Sequence, residues 1–127
     1  MKRVFLFASV LLFLAGCTAK PIYNVDNVAV VTGSGSAPSL ADVRGAIIKA
    51  VTSKGWTVKD IDSMHLLATL SARKHMAQVV IAYSTSSFSI AYKDSHMLDY
   101  KGTTIHRNYN RWIHNIEQRI KEQLVAI

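Results

Sequence analysis

The spacing of the hydrophobic residues predicts two amphipathic helices. The first begins after Ser39, which has Asp42 three residues later as in a capping box, and it ends at Gly55. The second runs from Ile105 to about Leu124. The first apolar stripe consists of Leu40, Val43, Ala46, Ile47, Ala50 and Val51, and the second of Tyr109, Trp112, Ile113, Ile116, Ile120 and Leu124. Each stripe needs a partner surface to cover it.

Five other segments are predicted to be strands. Residues 28–32 form a β-branched run, and apolar and polar residues alternate in four later segments, 56–60, 65–73, 76–84 and 88–94. The links between the last three are short enough for hairpins. The order β-α-β-β-β-β-α therefore predicts an α+β domain, with a four- to five-stranded antiparallel sheet and two helices packed on one face.

The first sixteen residues do not fit this domain. A positive start, Met1-Lys2-Arg3, precedes an apolar run of thirteen residues, which is shorter than the roughly 20 that a spanning helix needs. This pattern is typical of a secretory signal peptide. It ends in Leu14-Ala15-Gly16-Cys17, which resembles the lipobox of bacterial lipoproteins. The resemblance implies diacylation of Cys17, cleavage before it by signal peptidase II, and acylation of the new amino terminus.

The residue after the cysteine bears on the destination of such a lipoprotein. It is Thr18, whereas Asp at this position marks retention in the inner membrane in the enterobacterial pattern. The resemblance thus implies a lipid anchor in the outer membrane, facing the periplasm. We expect residues 17–26 to be a lipidated tether and residues 27–127 to be a single domain. Two segments of that domain, Ser89–Ser95 and Ile105–Glu117, resemble small proteobacterial lipoproteins of unassigned function. This resemblance does not indicate any functional residue.

The charge balance narrows the choice of partners. The chain has 15 Lys+Arg against 8 Asp+Glu, and its net charge of +7 falls to +5 when the leader is removed with Lys2 and Arg3. An envelope location argues against nucleic acid, so an envelope protein or an anionic envelope component is the expected partner. The size and the single cysteine exclude a multidomain enzyme and a disulfide-rich scaffold.

One face of the predicted sheet carries small and polar side chains with two aliphatic ones among them. This pattern is compatible with a solvated face and with a flat docking surface. The candidate interaction residues are Leu67, Thr69, Gln78, Val80 and Ala91.

The start of the second helix is a candidate anion site. His106, Arg107 and Arg111 lie in or near its first turns, where they oppose the helix dipole unless an anion is bound. The alternative is that these cations point to water. The histidines do not have the spacing of a zinc motif, and no nucleophile elbow or acid–base pair is present. We therefore expect no metal, no cofactor and no enzymatic activity.

The leading hypothesis is an anchored, non-catalytic binding module. The alternatives are a small-anion or small-ligand binder, or a minor enzyme, using the His106–Arg111 corner, and a purely structural envelope lipoprotein.

Overall fold

The structure, a computed structural model, describes residues 18–127. The predicted signal peptide, residues 1–16, and the candidate lipidation site Cys17 lie outside the described residues. The elements are β1 (Ala19–Pro21), β2 (Val25–Ala29), α1 (Leu40–Ser53), β3 (Thr57–Asp62), β4 (His65–Ala72), β5 (His75–Tyr83), β6 (Ser87–His96), β7 (Thr104–His106) and α2 (Arg107–Val125).

Five strands form one antiparallel sheet in the order β2-β6-β5-β4-β3, and β1 pairs with β7 in a second, two-stranded sheet. The predicted meander is β3 to β6, and β2 joins it at the far side of β6. The helices pack against each other and bury one face of the sheet through alternate residues such as Leu66, Ala68, Val79 and Ile81. The predicted α+β class, with two helices and an antiparallel sheet, is confirmed.

The ends of α1 follow their local chemistry. The Ser39 hydroxyl accepts a hydrogen bond from the Asp42 amide (3.0 Å), and the Asp42 carboxylate accepts one from the Ser39 amide (3.2 Å). This is the predicted capping box. Gly55 follows the C-cap with φ +90°, a left-handed conformation in which glycine costs least.

The amino-terminal part of the chain differs from its prediction. Residues 18–26 were expected to be a tether, but Ala19–Pro21 forms β1 and Val25 is 2% exposed in the core. Strand β2 therefore begins before residue 28 and ends at Ala29. Asn27 interrupts its alternation with φ +48°, where the pairing with β6 shifts register. These contacts join segments far apart in sequence, so no local period indicates them.

The start of the second helix also differs. The last strand was predicted to end at residue 94 and the helix to begin at Ile105. Instead β6 extends to His96, and Thr104–His106 forms β7. Because β7 exists only through its pairing with β1, the helix begins two residues later, at Arg107.

Candidate functional site

The face of the five-stranded sheet opposite the helices, here called the open face, brings the five candidate interaction residues together. Cross-strand pairing places Leu67 beside Val80 and Val80 beside Ala91. The neighbouring row pairs Thr69 with Gln78, whose amide Nε2 donates to the Thr69 hydroxyl (3.2 Å). Ala91 is exposed and the other four are half-buried. Within residues 18–127, neither helix covers this face.

The shape of the open face suits an extended partner better than a small ligand. Its central row runs across β3 to β6 and consists of Lys59, Leu67, Val80 and Ala91. The two branched side chains, Leu67 and Val80, lie between small and polar neighbours on adjacent strands of the sheet. Small ligands usually bind in concave cavities, whereas protein partners bury flat patches with an apolar centre and a polar rim.

A shallow cleft of about 180 Å³ adjoins one end of the open face, where β4, β5 and β6 meet their turns. The cleft contains the side chain of His65, whose Nδ1 lies 2.8 Å from Asp62 Oδ1. The Met64 amide and then the His65 side chain lower the pKa of Asp62. The cleft is lined by Asn27, Met64, His65, Ala82, Tyr83, Ser84, Ser87 and Ser89.

The Asp62–His65 pair and the nearby serines resemble parts of a nucleophile site, but the serine hydroxyls have structural roles. Ser84 Oγ accepts from the amides of Ser86 and Ser87 (both 3.1 Å). Ser89 Oγ accepts from the Asn27 amide (2.9 Å). Nucleophilic catalysis needs a serine hydrogen-bonded to its base. His65 Nδ1 is bonded to Asp62, as in a triad, but within residues 18–127 no serine hydroxyl is hydrogen-bonded to the His65 ring. The cleft was missed in the sequence because separate turns form it.

His106, Arg107 and Arg111 lie at the start of α2, but the hydrogen-bond donors there are largely engaged within the chain. The Arg107 amide donates to the Thr18 carbonyl (2.8 Å). The Asn108 amide donates to His106 Nδ1 (3.1 Å), so His106 caps the helix. Arg111 donates to the Asn108 side chain (2.8 Å). Two of the backbone groups that would bind an anion are thus already paired.

A polar stripe on α2 holds the amino-terminal segment and forms a group that we call the clasp: Asn110, His114 and Glu117 with Tyr23 and Pro21. Asn110 accepts from the Tyr23 amide (3.0 Å) and donates to the Pro21 carbonyl (2.8 Å). The Tyr23 ring stacks on His114 with centroids 3.9 Å apart, and its hydroxyl donates to Glu117 (2.6 Å). The i, i+4, i+7 spacing of these polar residues was visible in the sequence, but their partner was not.

Across the described part of the chain, no cluster of three His, Cys, Asp or Glu side chains is arranged to hold a metal ion. Among the same residues, no helix has the length and hydrophobicity needed to span a membrane.

Comparisons with known proteins give no relative: no protein-family model matches the chain, and no curated protein or solved structure is significantly similar to it.

Proposed function

We propose that this chain is a lipoprotein of the outer membrane, anchored through Cys17 and facing the periplasm, which works without catalysis by binding another envelope component through its open face. The anchor is supported by the Leu14-Ala15-Gly16-Cys17 motif behind a basic and apolar leader. The binding role is supported by one observation above all, the continuous row of Leu67, Val80 and Ala91 across three neighbouring strands.

The side-chain chemistry of the open face favours a protein as the partner. Leu67 and Val80 form an apolar centre, and the Thr69–Gln78 pair supplies hydrogen-bonding groups beside it. Of the residues in the central row, only Lys59 at the β3 edge is charged. An anionic polymer would need several cations on this face, whereas a protein surface of matching shape would not.

The open-face proposal is tested by cross-linking in cells that express the full chain with a carboxy-terminal tag. We expect one stoichiometric envelope protein, and we expect Val80→Glu to abolish its capture because a carboxylate would be buried against apolar groups. Ala91→Glu changes the same row at an exposed position, so it should weaken capture without affecting folding.

Gln118→Glu, on the exposed surface of α2, is the matched control and should leave capture intact. Thermal unfolding of all three variants separates a loss of binding from a loss of fold. Capture that persists in folded Val80→Glu and Ala91→Glu would exclude the open face as the binding surface. The anchor is tested separately by the intact mass of the purified protein, which should carry the acyl groups and lose them in Cys17→Ala.

A further inference from the structure

The position of Thr18 is fixed at one end of the molecule. Its carbonyl accepts from the first amide of α2 (2.8 Å), and the next residues pair with β7. The chain then follows α2, contacting Asn110 through Pro21 and Tyr23 and reaching Leu124 near Val28. Since α2 is about 27 Å long, Thr18 and the carboxy-terminal end of α2 lie at opposite ends.

Hydrogen bonds join two other segments, the loop after β6 and the β4–β5 turn, to the end that holds Thr18. His106 donates from its amide to the Leu98 carbonyl (2.9 Å), next to Met97. The Met97 carbonyl lies 2.9 Å from Nδ1 of His75, which follows the β4–β5 turn. We call this end of the molecule the basic end: the β4–β5 turn, the loop of residues 97–103, strand β1 and the first two turns of α2.

Positively charged side chains outnumber acidic ones at the basic end. Within residues 18–127, none of the lysines and arginines of the basic end forms an ion pair with an acidic side chain. Two acids, Asp94 and Asp99, lie among them, while Asp60 and Asp62 lie at the opposite end of the sheet, beside Tyr83. The cations are Lys20, Arg73, Lys74, Lys101, Arg107 and Arg111.

The loop of the basic end also exposes two large apolar side chains. Met97 is 52% exposed and Tyr100 is 43% exposed. Tyr100 stacks on Tyr92 with centroids 4.1 Å apart, so its ring is supported from behind by the domain. Tyrosine beside lysine and arginine is the combination that settles at a membrane–water interface, where the ring meets the headgroups and the cations meet phosphates.

We propose that the basic end is a membrane-seating surface that binds anionic lipid headgroups and holds the domain in one orientation on the bilayer. The anchor at Cys17 is part of the proposed function, and this inference rests on it for attachment. Because residues 18–25 are held against α2 and the sheet, a lipid on residue 17 leaves no flexible spacer. The basic end then contacts the bilayer, and the carboxy-terminal end of α2 points away from it.

Single fluorescent labels test the orientation. The acylated chain has no free cysteine, because Cys17 is its single cysteine. Labels are therefore placed at Thr103→Cys, in the loop of the basic end, and at Ala126→Cys, after α2. Each protein is reconstituted in vesicles of phosphatidylethanolamine and phosphatidylglycerol that contain a headgroup nitroxide quencher. We expect several-fold stronger quenching at position 103 than at position 126.

Charge-reversed variants test whether the cations cause this orientation. Lys74→Glu with Lys101→Glu should bring the two quenching values together. The matched control, Arg44→Glu with Lys49→Glu, changes the net charge equally but lies on α1, with Arg44 beside Asp60 and Asp62 at the opposite end of the sheet, so it should retain the difference. Neutral phosphatidylcholine vesicles or high salt should reduce the difference in the unchanged protein, since the attraction is electrostatic.

The failures of anchor and orientation are distinguishable. An intact mass without acyl groups on Cys17 would refute the anchoring proposal. The test then uses the mature chain with Cys17→Ser, which contains every described element. Adding Lys74→Glu and Lys101→Glu to this chain should weaken its binding to anionic vesicles by more than roughly tenfold. Equal quenching at positions 103 and 126 in the acylated protein, or unaltered vesicle binding of the Lys74/Lys101 variant in the serine form, would overturn the seating proposal.

Discussion

At the scale of single residues, Glu117 shows how a charge is accommodated inside this domain. Its side chain faces the core boundary, 9% exposed, and a carboxylate in that position is costly unless it is paired. The Tyr23 hydroxyl donates to one oxygen (2.6 Å), and Lys121 lies 3.2 Å from the other. The hydrogen bond to Glu117, followed by burial, raises the pKa of Tyr23 from 10.0 to about 12.

This shift predicts a loss of stability at high pH. The folded protein retains a proton on Tyr23 that the unfolded chain releases near pH 10.0, so the contribution is complete below that pH and is lost as the pH rises toward about 12. Tyr23→Phe should cost about 1–2 kcal/mol at neutral pH.

Urea unfolding of the unchanged protein and of Tyr23→Phe measures this effect. Their free energies of unfolding should converge as the pH rises from 10.0 to about 12. Tyr92 and Tyr109, whose pKa values are also raised, contribute in the same direction in both proteins. Parallel curves would contradict the bond between Tyr23 and Glu117.

At the scale of elements, the clasp determines where the domain begins. Strand β1 has only three residues, too few to be stable by pairing alone. Asn110 satisfies backbone groups on both sides of Ile22, and the Ile22 amide donates to the Thr103 carbonyl (3.0 Å). The amino-terminal segment is therefore held by helix α2 as well as by its partner strand.

Asn110→Ala removes two of these hydrogen bonds and should destabilise the protein by about 1–3 kcal/mol. Amide hydrogen exchange should become faster at Ile22 and Tyr23 before it changes in the five-stranded sheet. Asn115→Ala, at an exposed position of the same helix, is the control and should alter stability by less than about 0.5 kcal/mol. If both variants behave alike, Asn110 does not hold the segment.

At the scale of the whole molecule, the end of α2 closes against the loop that follows β2. The Ser34 amide donates to the Ile127 carbonyl (3.1 Å). A Cβ atom on Gly33 would collide with the Val125 carbonyl. Glycine at position 33 thus permits a close backbone approach between the loop after β2 and the carboxy-terminal end of α2, opposite the basic end.

Gly33→Ala should therefore destabilise the domain by about 1–3 kcal/mol, because the clash is with backbone and cannot be relieved by a rotamer change. Gly45→Ala is the contrasting variant. It lies within α1 with open space around its Cβ position, so it should stabilise by about 0.5–1 kcal/mol. Denaturant unfolding measures both, and a stable Gly33→Ala protein would show that this end of the molecule can open without cost.

The sequence by itself determined the features that depend on neighbouring residues. These include the α1 capping box, the stop at Gly55, the alternation of β3 to β6 and the apolar stripe of α2. Each follows from a local period or from a hydrogen bond between residues a few positions apart. The same alternation also grouped Leu67, Thr69, Gln78, Val80 and Ala91 on one face before their pairing was known.

Only the tertiary structure decided what the distant parts of the chain do to one another. The segment after Thr18 has no period, and it is held in place because Asn110, His114 and Glu117 offer it partners about 90 residues away. The candidate anion site loses one backbone donor, the Arg107 amide, to that segment for the same reason. The basic end is likewise assembled from cations that are scattered in the sequence, since an antiparallel sheet returns alternate turns to the same edge.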